Sequence, residues 1–515
     1  MPAESHELRH WLVSGALAIK RARGRLDAIN VFPVPDSDTG TNMYLTLQEG
    51  NRAVAKLPPS ASHREVVAAF ARGALLGARG NSGVIVSQYL SAFLKHVDEA
   101  GGLSNAKPAA IAAALQEAAD AAYGAVGAPV AGTILSVAQA ASSGAAEAVA
   151  AKACRNDVIV AAVMAARTAL RATVDELPAA RAAGVVDAGA AGLVLQLEML
   201  AETLAGSDAL SGLEYVEWEL ASTGKGVVAV PVSHEHPDAG GAYEVMFVGV
   251  VPERGANDTE APGRGLTEAL AEIGDSVAVT ASHGLVHAHV HTNVPDQAVE
   301  EGIARSARQI LVSAIALGNA HESSDPLFGT GMVALTSCPG LAAPLADAGA
   351  IVLVVPDPNK LKRRELRRAV REASSHGIVI AAGNQQLQAA AEELAGRKGV
   401  GHVVVLPARH EAHVIAAIAA GAIVTPGEPL ADVMRDAVLR CDVASSSPDA
   451  IDDDADRLLS PDVEVVTVVL ARGVSDATAD SVRLSAAAIC PQADVNVYQG
   501  GHVAPGVLIG VERGA

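Results

Sequence analysis

The first 205 residues carry a helical hydrophobic repeat that clusters of glycine interrupt. Apolar residues recur every three or four positions, a spacing that predicts amphipathic helices, at Leu8–Lys20, Glu65–Leu76, Val84–Val97, Ala109–Tyr123, Ile134–Val149, Val158–Thr173 and Ala190–Leu204. The glycine clusters lie between them, at 77–83, 101–102, 124–132 and 184–192. Because glycine lets a backbone approach a ligand closely, these clusters predict a binding site at one rim of a helix bundle.

One connection in this helical segment, residues 30–42, is rich in oxygen ligands. Asp36 and Asp38 lie two residues apart in a loop that two prolines stiffen, because proline fixes its own φ and restricts its neighbour. Polar residues that can cap the following helix, and leave N–H groups for an anion, come next: Thr39, Thr41 and Asn42. Carboxylates and N–H donors at one place suit a Mg²⁺ ion that bridges phosphates. The loop therefore predicts a nucleotide site.

Other interpretations of this loop fit less well or stay open. An EF-hand that starts at Asp36 would need glycine and a carboxylate where the chain has Thr41 and Leu47. A phosphatase loop would follow a hydrophobic strand, and Val34-Pro35 is a poor strand end because proline donates no ladder hydrogen bond. An ordinary Asp-rich turn with a helix cap remains an alternative.

The composition argues against several classes of partner. The net charge of −20 disfavours nucleic acid and anionic membrane surfaces. The 4 cysteines show no CxxC spacing, which predicts reduced thiols in a cytoplasmic protein. Residues 1–10 lack an apolar core, so we expect no signal peptide. No strongly apolar run reaches the length of a membrane span, about 18 residues, so we expect no stable membrane insertion.

After residue 206 the pattern changes to short β-branched runs, which predict an α/β middle domain over 222–325. Its predicted strands are Gly226–Val232, Tyr243–Val251, Ser276–Ala281 and Leu285–His291, and its helices Leu266–Ile273 and Gln297–Leu311. A second α/β domain over 330–515 alternates strands with helices, which predicts a parallel sheet. The acidic, polar residues 441–460 within it predict a mobile loop.

The glycine cluster at 77–83 is a second candidate phosphate contact. It lacks the Gly-Lys-Ser/Thr of a P-loop and does not follow a strand. Backbone N–H groups at a helix start can still hold a phosphate, and Arg79 could add charge. A plain turn between helices, with Ser82 as N-cap, is the alternative. Similar small-residue segments at predicted helix starts contain Gly132-Thr133 and Asp187-Ala188-Gly189.

These motifs together resemble a known nucleotide-binding domain. The segments are Asn-Val-Phe-Pro-Val-Pro-Asp-x-Asp-Thr-Gly-Thr-Asn-Met at 30–43, Gly-Ala-Arg-Gly-Asn-Ser-Gly-Val-Ile at 77–85, Gly-Thr-Ile-Leu at 132–135 and Val-Asp-Ala-Gly at 186–189. The chain resembles the dihydroxyacetone kinase L subunit. Its proline-bearing loop, length and later domains are more specifically similar to the ATP-binding subunit of bacterial fatty acid kinase. The resemblance implies an N-terminal all-α eight-helix barrel that binds Mg–ATP, followed by two α/β domains.

The resemblance also implies roles for individual residues. Asp36 and Asp38 match the catalytic, Mg²⁺-ligating carboxylates, and Asn30 matches a third ligand. Nucleotide contacts are implied at Thr39, Gly40, Thr41, Asn42, Arg79, Gly80, Asn81, Ser82, Gly83, Gly132, Thr133, Asp187 and Gly189. The chain departs from the family pattern, with consequences for the turnover rate, at Ser37 for Gly, Ala131 for Glu and Ala190-Ala191 for Gly-Lys.

A histidine run in the middle domain suggests a second metal. His287, His289 and His291 alternate along a predicted strand, so their imidazoles share one face. Histidines at this spacing can bind one Zn²⁺ with a ligand from a neighbouring strand, and a solvent-facing polar strand is the alternative. The resemblance implies a zinc site in which His289 and His291 are ligands and Glu244 replaces a cysteine. His287 has no counterpart and could substitute.

The resemblance implies an ATP-dependent phosphotransferase. It would phosphorylate a fatty acid carboxylate presented by a separate lipid-binding carrier protein, and the last two domains would dock that partner; a homodimer is left open. A regulatory or scaffold protein without efficient turnover is one alternative, supported by the departures and by the absence of an expected Gly-Gln-Thr-Met-Asn-Pro-Ser stretch near 356–360. A glycerone-type kinase acting on a small hydroxyl substrate is another.

Overall fold

The computed structural model describes residues 3–206, 208–211, 218, 241–250, 264–282, 284–315, 330–373, 377–397, 402–425 and 428–514. The predicted strand Gly226–Val232 lies outside them. The described residues divide into two compact units. The first holds those up to 218 and those from 264 to 290, and the second holds 241–250, 291–315 and 330–514. The division into three domains stays a prediction.

Residues 3–205 fold as helices, and each predicted helix lies within an observed one. Every three or four residues a side chain is buried, as Val86, Leu90, Phe93 and Val97 show in one helix. The helices are α1 (Ala3–Ala28), α2 (Thr39–Val54), α3 (His63–Gly77), α4 (Gly80–Glu99), α5 (Pro108–Gly124), α6 (Ile134–Ala150), α7 (Arg155–Glu176), α8 (Pro178–Ala183) and α9 (Ala188–Ala205).

Small side chains let these helices pack closely. A Cβ placed on Gly144 of α6 would lie 2.6 Å from the Cβ of Ala165 in α7. The most buried helix is α9, which packs on α1, α6 and α7. By length and composition α9 is the one helix among the described residues that could cross a membrane, but 72% of it is buried inside the unit.

Among the described residues, the strands lie beyond residue 240. They are β1 (Tyr243–Val250), β2 (Gly274–Ser282), β3 (Leu285–Thr292), β4 (Arg308–Ala314), β5 (Thr330–Thr336), β6 (Ala350–Val354), β7 (Gly377–Ala382), β8 (His402–Val405), β9 (Cys441–Ser446), β10 (Val463–Leu470), β11 (Asp494–Gln499) and β12 (Val507–Arg513). The remaining helices are α10 (Arg264–Ile273), α11 (Pro295–Ala304), α12 (Ala342–Asp347), α13 (Arg363–Glu372), α14 (Gln385–Ala395), α15 (Glu411–Ala422), α16 (Leu430–Leu439), α17 (Ile451–Leu458) and α18 (Asp480–Ile489).

The second unit contains the predicted parallel strands. In the order β1-β4-β6-β5-β7-β8, the pairs β6-β5, β5-β7 and β7-β8 are parallel, whereas β1-β4 and β4-β6 are antiparallel. The alternation of strand and helix after residue 330 therefore correctly predicted a parallel sheet. A further sheet has the order β11-β10-β12-β9, in which only β10-β11 is parallel.

Two predictions in this region are wrong. The predicted helix Gln297–Leu311 ends at Ala304, and residues 308–314 form β4, because Ile310 and Val312 are buried in the sheet. The predicted mobile loop 441–460 contains β9 and α17 instead. Strand β9 pairs with β12, and α17 buries Ile451, Ala455 and Leu458 at helical spacing while its acids face outward. The prediction failed because the many acidic residues outweighed the three apolar residues of this helix face.

Candidate functional site

Asn30 and Asp36 lie in contact in the connection between α1 and α2. The Nδ2 atom of Asn30 donates a hydrogen bond to Oδ1 of Asp36, at 2.5 Å. Asn30 is 4% exposed, and its Oδ1 atom is buried without a hydrogen-bond partner in the described part of the chain. A buried amide oxygen beside a carboxylate fits a hard cation, because Mg²⁺ takes oxygen ligands. These residues therefore fit the predicted metal ion.

Asp38 occupies the N-cap position of α2 but does not cap the helix with its side chain. Its carbonyl accepts the first intrahelical hydrogen bond, from Asn42 N–H at 2.8 Å, and its carboxylate makes no capping hydrogen bond. Asp36 and Asp38 are both half-buried, so a ligand in solution can reach them. The two predicted metal ligands are thus presented from a fixed turn.

Asp27, at the end of α1, caps α2, which the sequence motifs did not indicate. Its two carboxylate oxygens accept from the N–H and the hydroxyl of Thr41, at 2.9 and 2.8 Å. Burial raises the pKa of Asp27, and hydrogen bonds from Thr41 and Gly40 oppose that rise. The expectation that Thr39, Thr41 and Asn42 cap α2 is therefore wrong. The Thr41 N–H already donates to Asp27. An acid three residues before Asn30 was the feature of the sequence that could have indicated this cap.

The glycine cluster forms the start of α4. Helix α4 begins at Gly80, and Arg79 is its N-cap residue without a side-chain cap hydrogen bond. Ser82 lies inside the first turn, so the alternative with Ser82 as N-cap is wrong. The first N–H groups of a helix have no intrahelical partner. At the start of this 20-residue helix they form a place where an anion can bind.

Asn42 and Thr46 join the start of α4 to α2. A Cβ on Gly80, which has φ +53°, would lie 2.4 Å from Nδ2 of Asn42, and one on Gly83 would lie 2.4 Å from the Thr46 hydroxyl. That hydroxyl accepts from Arg79 N–H at 3.2 Å. The glycines are therefore required for close approach. These contacts place the start of α4 against the first two turns of α2, the helix that follows the Asp36 turn.

Some of the predicted nucleotide contacts near the starts of α2 and α4 also contribute to packing. Gly40 lets α2 pack on α1, because a Cβ there would lie 2.6 Å from the Arg23 carbonyl oxygen. Arg79 is 4% exposed. Oδ1 of Asn81 is buried without a hydrogen-bond partner among the described residues. Asn81, like Asn30, thus has a polar atom to offer a ligand.

The starts of α6 and α9 meet at Asp187. Its carboxylate accepts from Ala190 N–H at 2.7 Å and is also hydrogen-bonded by Ile134 N–H at the start of α6. Burial raises the pKa of Asp187 to about 6 against these bonds. Its own N–H donates to the Thr173 hydroxyl at 3.0 Å. Gly189 packs beside it, because a Cβ placed on that glycine would lie 3.4 Å from Oδ1 of Asp187.

Gly132 and Thr133 also hold the start of α6 in place. Gly132 has φ +78°, and its N–H donates to the Ser136 hydroxyl at 2.9 Å. The Thr133 hydroxyl donates to the Val130 carbonyl at 2.8 Å and accepts from Leu135 N–H at 3.4 Å. The side chains of Thr133 and Asp187 thus cap helices, and their predicted contact with a nucleotide stays a prediction.

The departures from the family pattern have different structural settings. Ser37 is exposed and has φ +56°, a conformation that glycine adopts without strain. Ala131 is exposed, so a longer side chain could stand there. Ala190 and Ala191 are fully buried in α9, where a lysine could not be placed without displacing the core.

The histidine strand is buried. His287, His289 and His291 of β3 are 0%, 1% and 5% exposed, so the solvent-facing alternative is wrong. In the second unit, ligand atoms of His291 and Glu244 lie within 4.8 Å of each other. His289 lies two residues earlier on the same strand and therefore on the same face. Imidazole and carboxylate are ligands that Zn²⁺ accepts, so these residues fit that ion.

Comparison with known proteins matches two regions of the chain. A DAK2 domain matches residues 33–202, and the middle domain of FakA-like fatty acid kinase subunits matches residues 241–316. The chain is 32% identical to protein YloV of Bacillus subtilis (strain 168) over 289 residues, 55% of this chain and 50% of that protein. It is 31% identical over 297 residues to an uncharacterized protein of Staphylococcus aureus (strain USA300), 56% of this chain and 52% of that protein. The chain thus spans about half the length of the curated relatives it matches.

The matched regions contain the geometry described above. The DAK2 match includes the Asp36 turn and the starts of α2, α4, α6 and α9, and the second match includes β1, β3 and β4. The order of the two domains also agrees with the resemblance that the motifs indicate. The chain thus combines a DAK2 domain with a middle domain like that of FakA-like fatty acid kinase subunits.

Proposed function

We propose that this chain is the ATP-dependent subunit of a fatty acid kinase, working in the cytoplasm. It would phosphorylate a fatty acid carboxylate presented by a separate lipid-binding carrier protein. The observation that carries the proposal is the buried, unpartnered Oδ1 of Asn30 beside Asp36, at an α2 start that adjoins the start of α4. That arrangement combines a cation site with an anion site, which is the requirement of Mg–ATP.

The proposal includes an eight-helix barrel built from α1 to α9, of which α8 has 6 residues and is a single short turn. ATP would lie at the rim where helices start. Close packing supports this arrangement, because Gly192 of α9 contacts Met43, the residue after Asn42 in α2; a Cβ there would lie 2.5 Å from Sδ of Met43.

The chemistry asks little covalent work of the protein. Phosphoryl transfer depends on positioning and on neutralising charge, and Mg²⁺ bound to ATP would supply part of that neutralisation. Asp36, Asp38 and Asn30 would hold the ion, while Arg79 and the first N–H groups of α4 would orient the phosphates. A fatty acid is already a carboxylate at neutral pH. Its oxygen can therefore attack the γ-phosphorus without a general base, and the bond to ADP breaks as the acyl phosphate forms.

We also propose that the buried histidine strand binds Zn²⁺ as a structural ion, with His289, His291 and Glu244 as ligands. His287 is the alternative ligand on the same strand. Metal analysis of purified protein, with His291→Ala beside wild type, tests this. We expect bound zinc in wild type and its loss in the variant. Zinc-free wild-type protein that is folded would contradict the assignment.

A regulatory or scaffold protein that binds nucleotide without efficient turnover is the second candidate. Its support is specific: the Thr41 N–H, the Thr133 hydroxyl and the Asp187 carboxylate are all hydrogen-bonded within the protein. Ala190 and Ala191 are buried as well. A chain with these features could keep nucleotide affinity while losing rate.

Transfer of labelled γ-phosphate from Mg–ATP separates these candidates. The acceptors would be a fatty acid on a lipid-loaded carrier, a free fatty acid and dihydroxyacetone. Carrier-dependent labelling of the fatty acid supports the proposal, and labelling of dihydroxyacetone would favour a glycerone-type kinase. Binding of Mg–ATP without transfer to any acceptor would favour the scaffold. Neither binding nor transfer would reject all of them.

A further inference from the structure

A cavity of about 390 Å³ lies in the second unit, and none of the residues assigned above lines it. One of its walls is made by the segments that follow the parallel strands: Ser337 after β5, Pro356 after β6, Gly383 after β7 and Arg409 after β8. In the strand order β6-β5-β7-β8 the chain connections leave β5 and β7 in opposite directions. Open α/β sheets bind ligands at this switch point, at the carboxyl ends of their strands.

The opposite wall comes from the second sheet of the same unit. Ser445 of β9, Arg472 after β10 and the turn from Gly501 to Pro505 line it. The two walls are joined where Gly340 N–H donates to the Gly500 carbonyl at 3.1 Å. The volume lies at the lower end of the range for small-molecule pockets, about 300–1,000 Å³.

Two buried histidines present polar atoms to this cavity. His410 is 7% exposed, and its Nδ1 accepts from Ala412 N–H at 3.3 Å, so its proton is on Nε2. That Nε2 makes no hydrogen bond of normal geometry with the described residues. Burial lowers the pKa of His410, and the nearby Ala444 carbonyl partly opposes this effect. His502 is 5% exposed; its Nε2 donates to the Pro505 carbonyl at 2.7 Å, and its Nδ1 has no partner among the described residues.

Glu411, the one buried acid among the described residues that line the cavity, already has hydrogen-bond partners within the protein. Glu411 accepts from the N–H and the hydroxyl of Ser337, at 2.9 and 2.8 Å, and from the Thr336 hydroxyl at 2.8 Å. Burial raises the pKa of Glu411 against these bonds. The lone pairs of this carboxylate are therefore largely satisfied within the protein, and a raised pKa favours its neutral form.

Further donors stand around the same opening. Helix α14, of 11 residues, starts there behind its cap Asn384, and α15, of 12 residues, starts at Glu411. Arg409 and Arg472 are exposed. Arg409 donates one guanidinium N–H to Gln388, and Arg472 donates one to Glu300. A guanidinium has five N–H donors, so most of them remain for a ligand. Arginine donors, helix starts and an imidazole N–H are the groups that bind oxyanions.

We propose that this cavity is a second ligand site, which binds a small organic oxyanion, either a carboxylate or a phosphate monoester. The anion would lie between Arg409, Arg472 and His410 Nε2, at the switch point of the sheet. The site is separate from the Mg–ATP site of the first unit, so it does not depend on the function proposed above.

Ligand-detected NMR on the full chain, with hexanoate, glycerol 3-phosphate and the neutral hexanamide as probes, tests the proposal. We expect one of the anions to bind and hexanamide not to bind. Whichever anion binds identifies the head group as carboxylate or phosphate. No binding by either anion, or equal binding of hexanamide, overturns the proposal.

Variants locate the bound anion. Arg409→Gln with Arg472→Gln should weaken binding at least about tenfold, because each removes a charge-assisted hydrogen bond, and both residues are exposed, so the fold should persist. Arg483→Gln is the matched control, an exposed arginine of the same unit paired with Asp480. Asp38→Ala should keep the affinity, which separates this site from the Mg–ATP site. Unchanged binding in the double variant, or an equal loss in the control, overturns the proposal.

Discussion

Two pairs of helix starts in the first unit carry similar motifs but use their polar groups differently. At α2 and α4, Oδ1 of Asn30 and Oδ1 of Asn81 are buried without hydrogen-bond partners in the described chain. At α6 and α9, the Thr133 hydroxyl and the Asp187 carboxylate are hydrogen-bonded inside the protein. The first pair therefore has atoms to give a ligand, whereas the second pair holds the helices in register.

The contrast suggests that the α2–α4 pair serves ligand binding and that the α6–α9 pair serves stability. Buried polar atoms without partners are costly, about 1–3 kcal/mol each, and persist where a ligand compensates them. Hydrogen-bonded caps are stable without a ligand and contribute about 1 kcal/mol each. Substitutions at the α2–α4 pair should therefore change ligand binding and catalysis. Substitutions at the α6–α9 pair should change stability.

The largest effect should come from Asp38→Ala. If Asp38 holds Mg²⁺ as proposed, loss of its carboxylate should lower phosphoryl transfer about 1,000-fold, a magnitude like that of losing one transition-state contact. Stability should change little, because Asp27 and not Asp38 caps α2. Labelled phosphate transfer together with thermal unfolding measures both quantities.

Asp27→Ala is the matched control for Asp38→Ala. It removes an acid at the end of α1 that accepts hydrogen bonds from Thr41. We expect it to lower the free energy of unfolding by about 1–2 kcal/mol, with the transfer rate per folded molecule much less affected. If Asp38→Ala kept its activity while Asp27→Ala lost it, the assigned roles of the two acids would be reversed.

Asp187→Asn should change the pH dependence of stability. The pKa of Asp187 rises from 3.8 to about 6 on folding. Between these pH values the unfolded chain has released the proton that the folded chain still holds, so stability falls as pH rises through this window. The full cost, reached above pH 6, is at most about 3 kcal/mol. Asparagine does not ionise, so the variant should gain stability relative to wild type between pH 4 and pH 7.

Urea unfolding of wild type and Asp187→Asn at each pH measures this difference. Comparing the two proteins at the same pH cancels the titration of other groups. Parallel stability profiles would mean that Asp187 ionises normally, and the α6–α9 cap would then not be as dry as the structure indicates.

Asn30 offers a sharper test of the α2–α4 pair, because it can be changed in both directions. Asn30→Ala removes the buried oxygen and should weaken Mg²⁺ binding about tenfold, as loss of a supporting ligand does. Asn30→Asp adds a carboxylate and should retain or strengthen that binding. Calorimetric titration with Mg²⁺ in the presence of ATP measures both. Equal affinities in the two variants would remove Asn30 from the metal site.

The smallest effect should come from Ser37→Gly. A non-glycine residue at φ +56° is strained, and glycine should stabilise the protein by about 0.5–1 kcal/mol net of the freedom it adds to the unfolded chain. The Ser37 side chain is exposed, so Mg²⁺ affinity should stay the same. Ser37→Ala, which keeps the strain, is the control in thermal unfolding. A gain in the alanine variant equal to that in glycine would argue against strain.

Long apolar repeats in the sequence predicted α1, α3, α4, α5, α6, α7 and α9, but not α8, which has only 6 residues. The parallel strands were predicted because helices separate them. The turn with Asp36 and the start of α4 could be located because each is marked by a short motif of neighbouring residues. The sequence missed the Asp27 cap, and it could not foresee that Asp187 joins α6 to α9, since those contacts link distant positions. The acidic segment 441–460 misled it, because the three buried residues of α17 are few among many charges.

The bonds between Asp27 and Thr41 close the chain around the turn proposed to bind Mg²⁺, across a separation of 14 residues. A segment fastened at both ends has few conformations to lose, and fixing a free backbone costs about 1–2 kcal/mol per residue. That entropy is lost when the protein folds and not when a ligand arrives. The turn should accordingly be as slow in amide hydrogen exchange without nucleotide as with it, and association should be limited by diffusion and ion dehydration, not by ordering of the loop.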